Sequence, residues 1–145
     1  MILFSSALEL ILKIKIIMNK LLINVENEKI FLMIITQNDI YNIAKENTKI
    51  NYEKLTLIIK DFLNSNGLNI GDINTIYVNR GPGSFAGIRN SLSVVKAFNI
   101  SKKIDYYCYS FDDFGEEIDV KYEDIPNLCD KFKIKKNLIK PNYLS

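Results

Sequence analysis

The chain contains no histidine. The usual general base near neutral pH is therefore missing, together with every Ser-His or Cys-His nucleophile pair, and hydrolytic chemistry of that kind is not expected. Cysteine is scarce: Cys108 and Cys129 stand far apart with no Cys-x-x-Cys pair, so a zinc site of the usual Cys/His kind cannot be assembled. Isolated thiols fit a reduced, cytoplasmic compartment and pack as small apolar residues. Charge of one sign is lacking as well. Lys and Arg number 19 against 17 Asp and Glu, a formal net charge of +2, too little to make the whole surface a polyanion trap, so any nucleic-acid contact must come from a local patch. No apolar run at the start reaches the ~20 residues of a spanning helix. Lys13 interrupts the stretch from Met1 to Ile17, and Lys13 and Lys15 follow the apolar run instead of preceding it, the wrong order for a secretory signal. Residues 1–17 are expected to be an extension ahead of a domain that starts at Met18, as from an upstream over-call of the coding start, with no membrane role.

What is present suits one core: 145 residues, 48% hydrophobic and 25% charged. Lys20 to Val25, Ile30 to Ile35 and Ile40 to Ala44 are short apolar runs with polar breaks between them, which read as a three-strand antiparallel meander. Leu55, Ile58, Ile59, Phe62 and Leu63 then fall on one helical stripe, and Gly67 supplies a left-handed stop. Asp72 to Asn79 alternates as a strand, Phe85, Ile88, Leu92 and Val95 keep helical spacing to about Ile100, and Asp105 to Ser110 is a further strand. The order β-β-β-α-β-α-β describes a mixed α/β sheet of the RNase H-like, actin-like kind. Beyond Phe111, in residues 111–145, an acidic stretch precedes a basic one, expected to form a peripheral helix and tail packed over the domain, with solvated charges.

The densest special chemistry is Gly81-Pro82-Gly83-Ser84-Phe85-Ala86-Gly87-Ile88-Arg89. Glycines permit backbone angles closed to other residues, Pro82 stiffens the turn and Ser84 can cap the helix that follows. Such a loop at a helix N-terminus suits either an anion cradle or a tight turn that lets strand and helix pack closely. No Gly-Lys-Ser/Thr follows, and the glycine spacing misses the dinucleotide fingerprint by one residue.

This run resembles the GPGSFTGLR signature of the TsaB (YeaZ) family, with Ala86 and Ile88 in place of threonine and leucine. Lys20 to Glu26 is similar to the family's opening strand, and Pro141-Asn142-Tyr143-Leu144 to its C-terminal Pro-x-Tyr-Leu element. The resemblance covers residues 18–110, and most of the family's second lobe has no counterpart here. It implies a non-catalytic subunit of tRNA threonylcarbamoyladenosine modification, without cofactor or metal. Its partner would be a TsaD-like catalytic subunit, with a TsaE-like ATPase and tRNA reached only through the complex, and self-pairing as a further possibility. Asn24 stands where the family usually carries an aspartate, and Asn79 likewise offers no carboxylate. The helix after the loop carries apolar residues over roughly 180° of its wheel, beyond the ~100° one core demands. Val94 and Phe98, with the small Ser91 and with Arg89 nearby, are therefore expected to dock a partner. Two other readings stand beside this one. The Gly81 to Gly87 loop would make the chain a small nucleotide-binding or hydrolysing protein, or the tail lysines with Phe132 and Tyr143 would bind nucleic acid.

Overall fold

Strand β1, Lys20–Val25, is apolar at all positions but Lys20 and Asn24 and buried from Leu21 to Val25, as a strand covered on both faces must be. It lies at the centre of a five-stranded sheet of order β3-β2-β1-β4-β5. The computed structural model describes residues 6–10, 19–26, 29–115 and 119–142. The expectations placed on Met18, Tyr143, Leu144 and most of residues 1–17 fall outside these; residues 6–10 are helical and exposed. β2 (Lys29–Ile35) and β3 (Ile40–Glu46) run antiparallel on one side of β1, while β4 (Thr75–Asn79) and β5 (Asp105–Tyr109) run parallel to it on the other. β3 is one edge of the sheet, alternating between exposed and half-buried positions over its first half and exposed beyond it.

One face of the sheet is covered by helices. α1 (Lys49–Glu53) starts at Thr48, whose Oγ1 accepts from the Asn51 N–H at 3.2 Å. α2 (Leu55–Ser65) buries Leu55, Ile59, Phe62 and Leu63, four members of the expected stripe, and ends where the Leu68 N–H reaches back to the Leu63 carbonyl around Gly67 at φ 73°. α3 (Phe85–Lys102) buries Gly87, Ile88, Ser91, Leu92, Val95 and Phe98. At about 1.5–3 kcal/mol per fully buried Leu, Ile or Phe, this layer is the main source of stability. β4 is shorter than its alternation suggests. It begins at Thr75 and not at Asp72, which instead ends a tight 3-10 turn, Ile70–Asp72, with its carboxylate accepting from the Asn69 N–H at 2.9 Å.

The other face is covered by the chain's own C-terminal part. Turns at Phe111–Phe114 and Tyr122–Asp124 lead into α4, Ile125–Lys131, and Phe114, Ile125 and Cys129 join Leu22, Met33, Tyr77 and Tyr109 in a second apolar core. The helix that follows the acidic stretch is thus packed over the domain, with Ile125 and Cys129 fully buried. The last described residues strap the edge of β5. Lys136 bridges Tyr107, the Asn137 N–H donates to the Tyr106 carbonyl at 2.8 Å, and the Tyr106 N–H donates to Asn137 Oδ1 at 2.9 Å.

Candidate functional site

The glycine run sits at the carboxyl end of β4, where open α/β sheets place their sites. Asn79, buried at the end of that strand, turns its Oδ1 to the Gly81 N–H at 2.9 Å. Arg80 is tied down from three sides: its N–H donates to the Tyr109 carbonyl at 2.7 Å, its carbonyl accepts from the Asn142 N–H at 2.7 Å, and its guanidinium clasps Asp113 at 2.7 and 3.3 Å. Gly81 holds φ 115°, and a Cβ there would lie 1.9 Å from the Asn142 carbonyl oxygen. Pro82, joined to Gly81 by a cis peptide, is exposed. Gly83 is buried, with Ile88 at 3.1 Å from a Cβ position. Ser84 caps α3, its Oγ accepting from the Gly87 N–H at 3.3 Å, and Gly87 lets that turn press on Val25. The loop is therefore a close-packed junction with backbone from the tail laid across it.

Past the junction, α3 shows two faces. Phe98 is 6% exposed and Ser91 fully buried, while Val94 is half-buried against the same core. The docking surface expected of Val94, Phe98 and Ser91 is thus corrected: these residues continue the inward stripe of Ile88, Leu92 and Val95. The face they leave outward carries Phe85 at 56% exposure and Ile100 at 70%. Arg89 is on that outward face, its guanidinium 5.7 Å from the Phe85 ring centroid. Between this face and the tail residues Ile139 and Pro141 runs a mainly apolar groove of ≈ 440 Å³, with Arg89, Ser93, Lys96 and Ala97 along its side. The groove carries no signal in the sequence, because Ile139 and Pro141 are brought beside α3 only by the fold.

On the opposite face of the sheet, Asn24 and Tyr109 meet beneath an aromatic cover. The Tyr109 hydroxyl donates to Asn24 Oδ1 at 3.0 Å, Asn24 Nδ2 donates to Glu26 Oε1 at 2.7 Å, and the Tyr122 hydroxyl donates to the same oxygen at 3.0 Å. Tyr122 stacks on Phe31 with centroids 4.2 Å apart. Burial raises the Tyr109 phenol well above its ordinary range, and burial followed by the Glu26 charge pushes Tyr122 up to about 12, so both remain neutral donors. Both ends of the Asn24 amide are satisfied inside the protein. Glu26, Tyr109 and Tyr122 carry no signal in sequence, being brought together only by the fold. The two thiols are buried, and burial holds Cys108 up to about 11 and Cys129 up to about 12.

A sheet with an antiparallel arm β3-β2-β1 and a parallel arm β1-β4-β5, helices on one face and a glycine junction after β4 defines an actin-like, RNase H-like lobe. Residues 45–110 match the family model described as TsaD: tRNA N6-adenosine threonylcarbamoyltransferase. Within that class the chain is TsaB/YeaZ-like in fold. It is similar to YeaZ from Pseudomonas aeruginosa with a TM-score of 0.60 at 18% identity, over 64% of this chain and 44% of that one. A structure of an uncharacterized protein with similarity to peptidase YEAZ from Pseudomonas aeruginosa matches with the same TM-score and identity, over 64% of this chain and 43% of that one. The match thus spans less than half the length of either solved protein. No curated protein matches the sequence significantly.

Proposed function

We propose that the chain is a non-catalytic docking subunit in tRNA threonylcarbamoyladenosine modification, and that it presents the outward face of α3 to a TsaD-like catalytic subunit. The observation that carries this reading is the open, mainly apolar groove along the outward face of α3, with Ile100 70% exposed at its rim, on a lobe of YeaZ-like fold. Apolar residues set around an arginine, with small neighbours that admit a facing helix, make the usual centre of a protein interface. A TsaE-like ATPase and tRNA join through that partner, and the setting is cytoplasmic. A second copy of the chain is the competing occupant of the same face.

The absence of chemistry in this role draws support from Asn24. Its amide cannot neutralise a cation, and its hydrogen-bonding capacity is spent on Tyr109 and Glu26. The nucleotide reading is weakened by the loop itself: the Gly81 N–H is committed to Asn79, the Gly87 N–H to Ser84, and the Asn142 carbonyl lies where a phosphate would approach Gly81. The test is co-expression with the TsaD-like protein of the same cell, read by light scattering after co-purification. A one-to-one complex that Ile100→Glu abolishes without lowering the melting temperature is expected. A complex indifferent to Ile100→Glu and Arg89→Ala, or complete failure to co-purify, would defeat the proposal.

A further inference from the structure

The basic charge of this protein is collected in one place. From residue 131 to the end, the chain holds Lys131, Lys133, Lys135, Lys136 and Lys140 and no acidic residue. The remainder is therefore net negative although the whole is +2. Tails of this composition are commonly solvated and mobile in position. Here the backbone is fixed instead by the β5 strap: Asn137 is held by Tyr106 on both its backbone and side chain, and its Nδ2 donates to Asp105 at 2.9 Å. Downstream, Asn142 is anchored on Arg80. Lys133 and Asn137 take left-handed φ values of 54° and 60°, turning the strap so that it encloses a hollow.

That hollow, ≈ 290 Å³, is walled by Arg80, Asp113, Lys133, Lys135 and Lys140 over a floor that includes Cys108. Its charges are unequally matched. Arg80 is neutralised by Asp113 at 2.7 Å, and outside the wall Lys136 pairs with Asp105 at 3.6 Å. Lys133, Lys135 and Lys140 have no ion pair among the described residues. Burial keeps Cys108 a neutral thiol, so the floor adds no compensating anion. Three unmatched ammonium groups around one concavity repel one another, and low-dielectric walls focus their field outward into the opening.

We propose that this pocket is a binding site for the phosphodiester backbone of nucleic acid. Lysine ammonium groups are point-charge partners for phosphate. A polyanion brings several phosphates to several lysines at once, where a single free anion would have to be shared among them, and a concave opening is ill-suited to a flat lipid surface. Because the strap's backbone is already ordered, binding costs only the rotamer freedom of the lysine side chains. The inference goes beyond the docking role, in which nucleic acid is reached only through a partner, and stands on different residues.

The test uses the full chain and a fluorescent 20-nucleotide single-stranded RNA, with anisotropy read between 50 and 200 mM salt. Three phosphate contacts predict a slope of log K against log salt of about −2. The variant Lys133→Asn, Lys135→Gln, Lys140→Gln retains a residue tolerant of the left-handed backbone at position 133. It is expected to bind about tenfold more weakly at the lowest salt, with a slope near zero and an unchanged melting temperature. Should it melt lower, Lys140→Gln alone reads the same site through a slope reduced by about one contact. The control Lys45→Gln, Lys49→Gln, Lys60→Gln removes equal charge elsewhere and is expected to bind as the parent does. The proposal is overturned if RNA does not bind at 50 mM salt, or if the control weakens binding as much as the pocket variant. It is equally overturned if poly-glutamate or inorganic phosphate, matched for charge, competes as well as unlabelled RNA, since those results mark an acidic-protein surface or a single-anion site.

Discussion

Replacing Asn24 by aspartate changes one atom's chemistry at a position where the surroundings specify the amide. Asn24 Nδ2 donates to the Glu26 carboxylate at 2.7 Å while Oδ1 accepts from the Tyr109 hydroxyl at 3.0 Å. Asn24→Asp keeps the second bond and turns the first into two carboxylate oxygens in contact. A hydrogen bond to a charged group contributes about 1.5–3 kcal/mol, and the repulsion that replaces it adds to its loss. With Glu26 half-buried and solvent screening part of the field, about 3 kcal/mol at pH 8 is a reasonable total, a large share of the 5–15 kcal/mol typical of a domain. Burial and the neighbouring carboxylate both raise the folded-state pKa of the introduced acid above its unfolded value. Its stabilising protonated form is therefore fully present below the unfolded pKa and lost as pH rises through the folded one. Urea melts of the parent, Asn24→Asp and Asn24→Ala at pH 4, 6 and 8 read this out. The aspartate variant should approach the parent at pH 4 and fall away by pH 8, whereas the alanine variant should show a deficit with little pH dependence. An aspartate variant as stable as the parent at pH 8 would refute the network as drawn, and would mean that the position accepts a charge, as a metal-binding carboxylate site would.

Three other outcomes follow from the same structure. Gly81→Ala, which forces a Cβ to within 1.9 Å of the Asn142 carbonyl at φ 115°, should cost about 2 kcal/mol or more; Gly67→Ala, at φ 73° with open space around it, should cost only the ~1–2 kcal/mol of a left-handed alanine, both read by thermal melts. Phe98→Glu should lose the folded state, since Phe98 is core, while Ile100→Glu should keep it, as followed by circular dichroism. The raised Tyr122 pKa, set first by burial and then by Glu26, gives stability that is full below the unfolded phenol's pH of about 10 and lost as pH rises towards about 12. Tyr122→Phe should flatten that decline in urea melts between pH 9 and 11, at a cost of about 1 kcal/mol for the lost hydrogen bond at neutral pH.

The strands and the first helical stripe were legible because their signals are local. Leu21 to Val25 reads as a covered strand from five consecutive residues, and Leu55, Ile59, Phe62 and Leu63 share a face by spacing alone. Orientation of α3 was not legible. Its apolar residues cover too much of the wheel for spacing to choose a face, and the choice is made by what the helix lies on. Gly87 against Val25 pins its first turn and the partly buried Asn90 side chain reaches the Tyr52 carbonyl, which rotates Ser91 and Phe98 inward and leaves Phe85 and Ile100 outside.

The C-terminal quarter was illegible for a different reason, namely that its effect lies in long-range pairs and in the strand ends it covers. Glu26 and Tyr122 are 96 residues apart, Asn24 and Tyr109 are 85 apart, and Arg80 and Asp113 are 33 apart. No window of periodicity contains them. Each pair closes over the carboxyl ends of β1, β4 and β5, the region an actin-like lobe would offer to a ligand, and fills it with the chain's own tyrosine, phenylalanine and asparagine side chains. The same segment that fills one surface creates another, because the strap that anchors Asn142 on Arg80 also sets Lys133, Lys135 and Lys140 around a common hollow. Weakening the strap should therefore separate the two effects. Asn137→Ala removes the side-chain bonds to Tyr106 and Asp105 and an asparagine suited to its left-handed φ of 60°. It should lower RNA affinity severalfold by letting the lysines spread, while the Tyr109–Asn24–Glu26 network and the protection of its amides from hydrogen exchange persist. Loss of protection in β1 and β4 alongside the affinity would show the strap and the buried network to be one cooperative unit, and the hollow would then have no existence independent of the core.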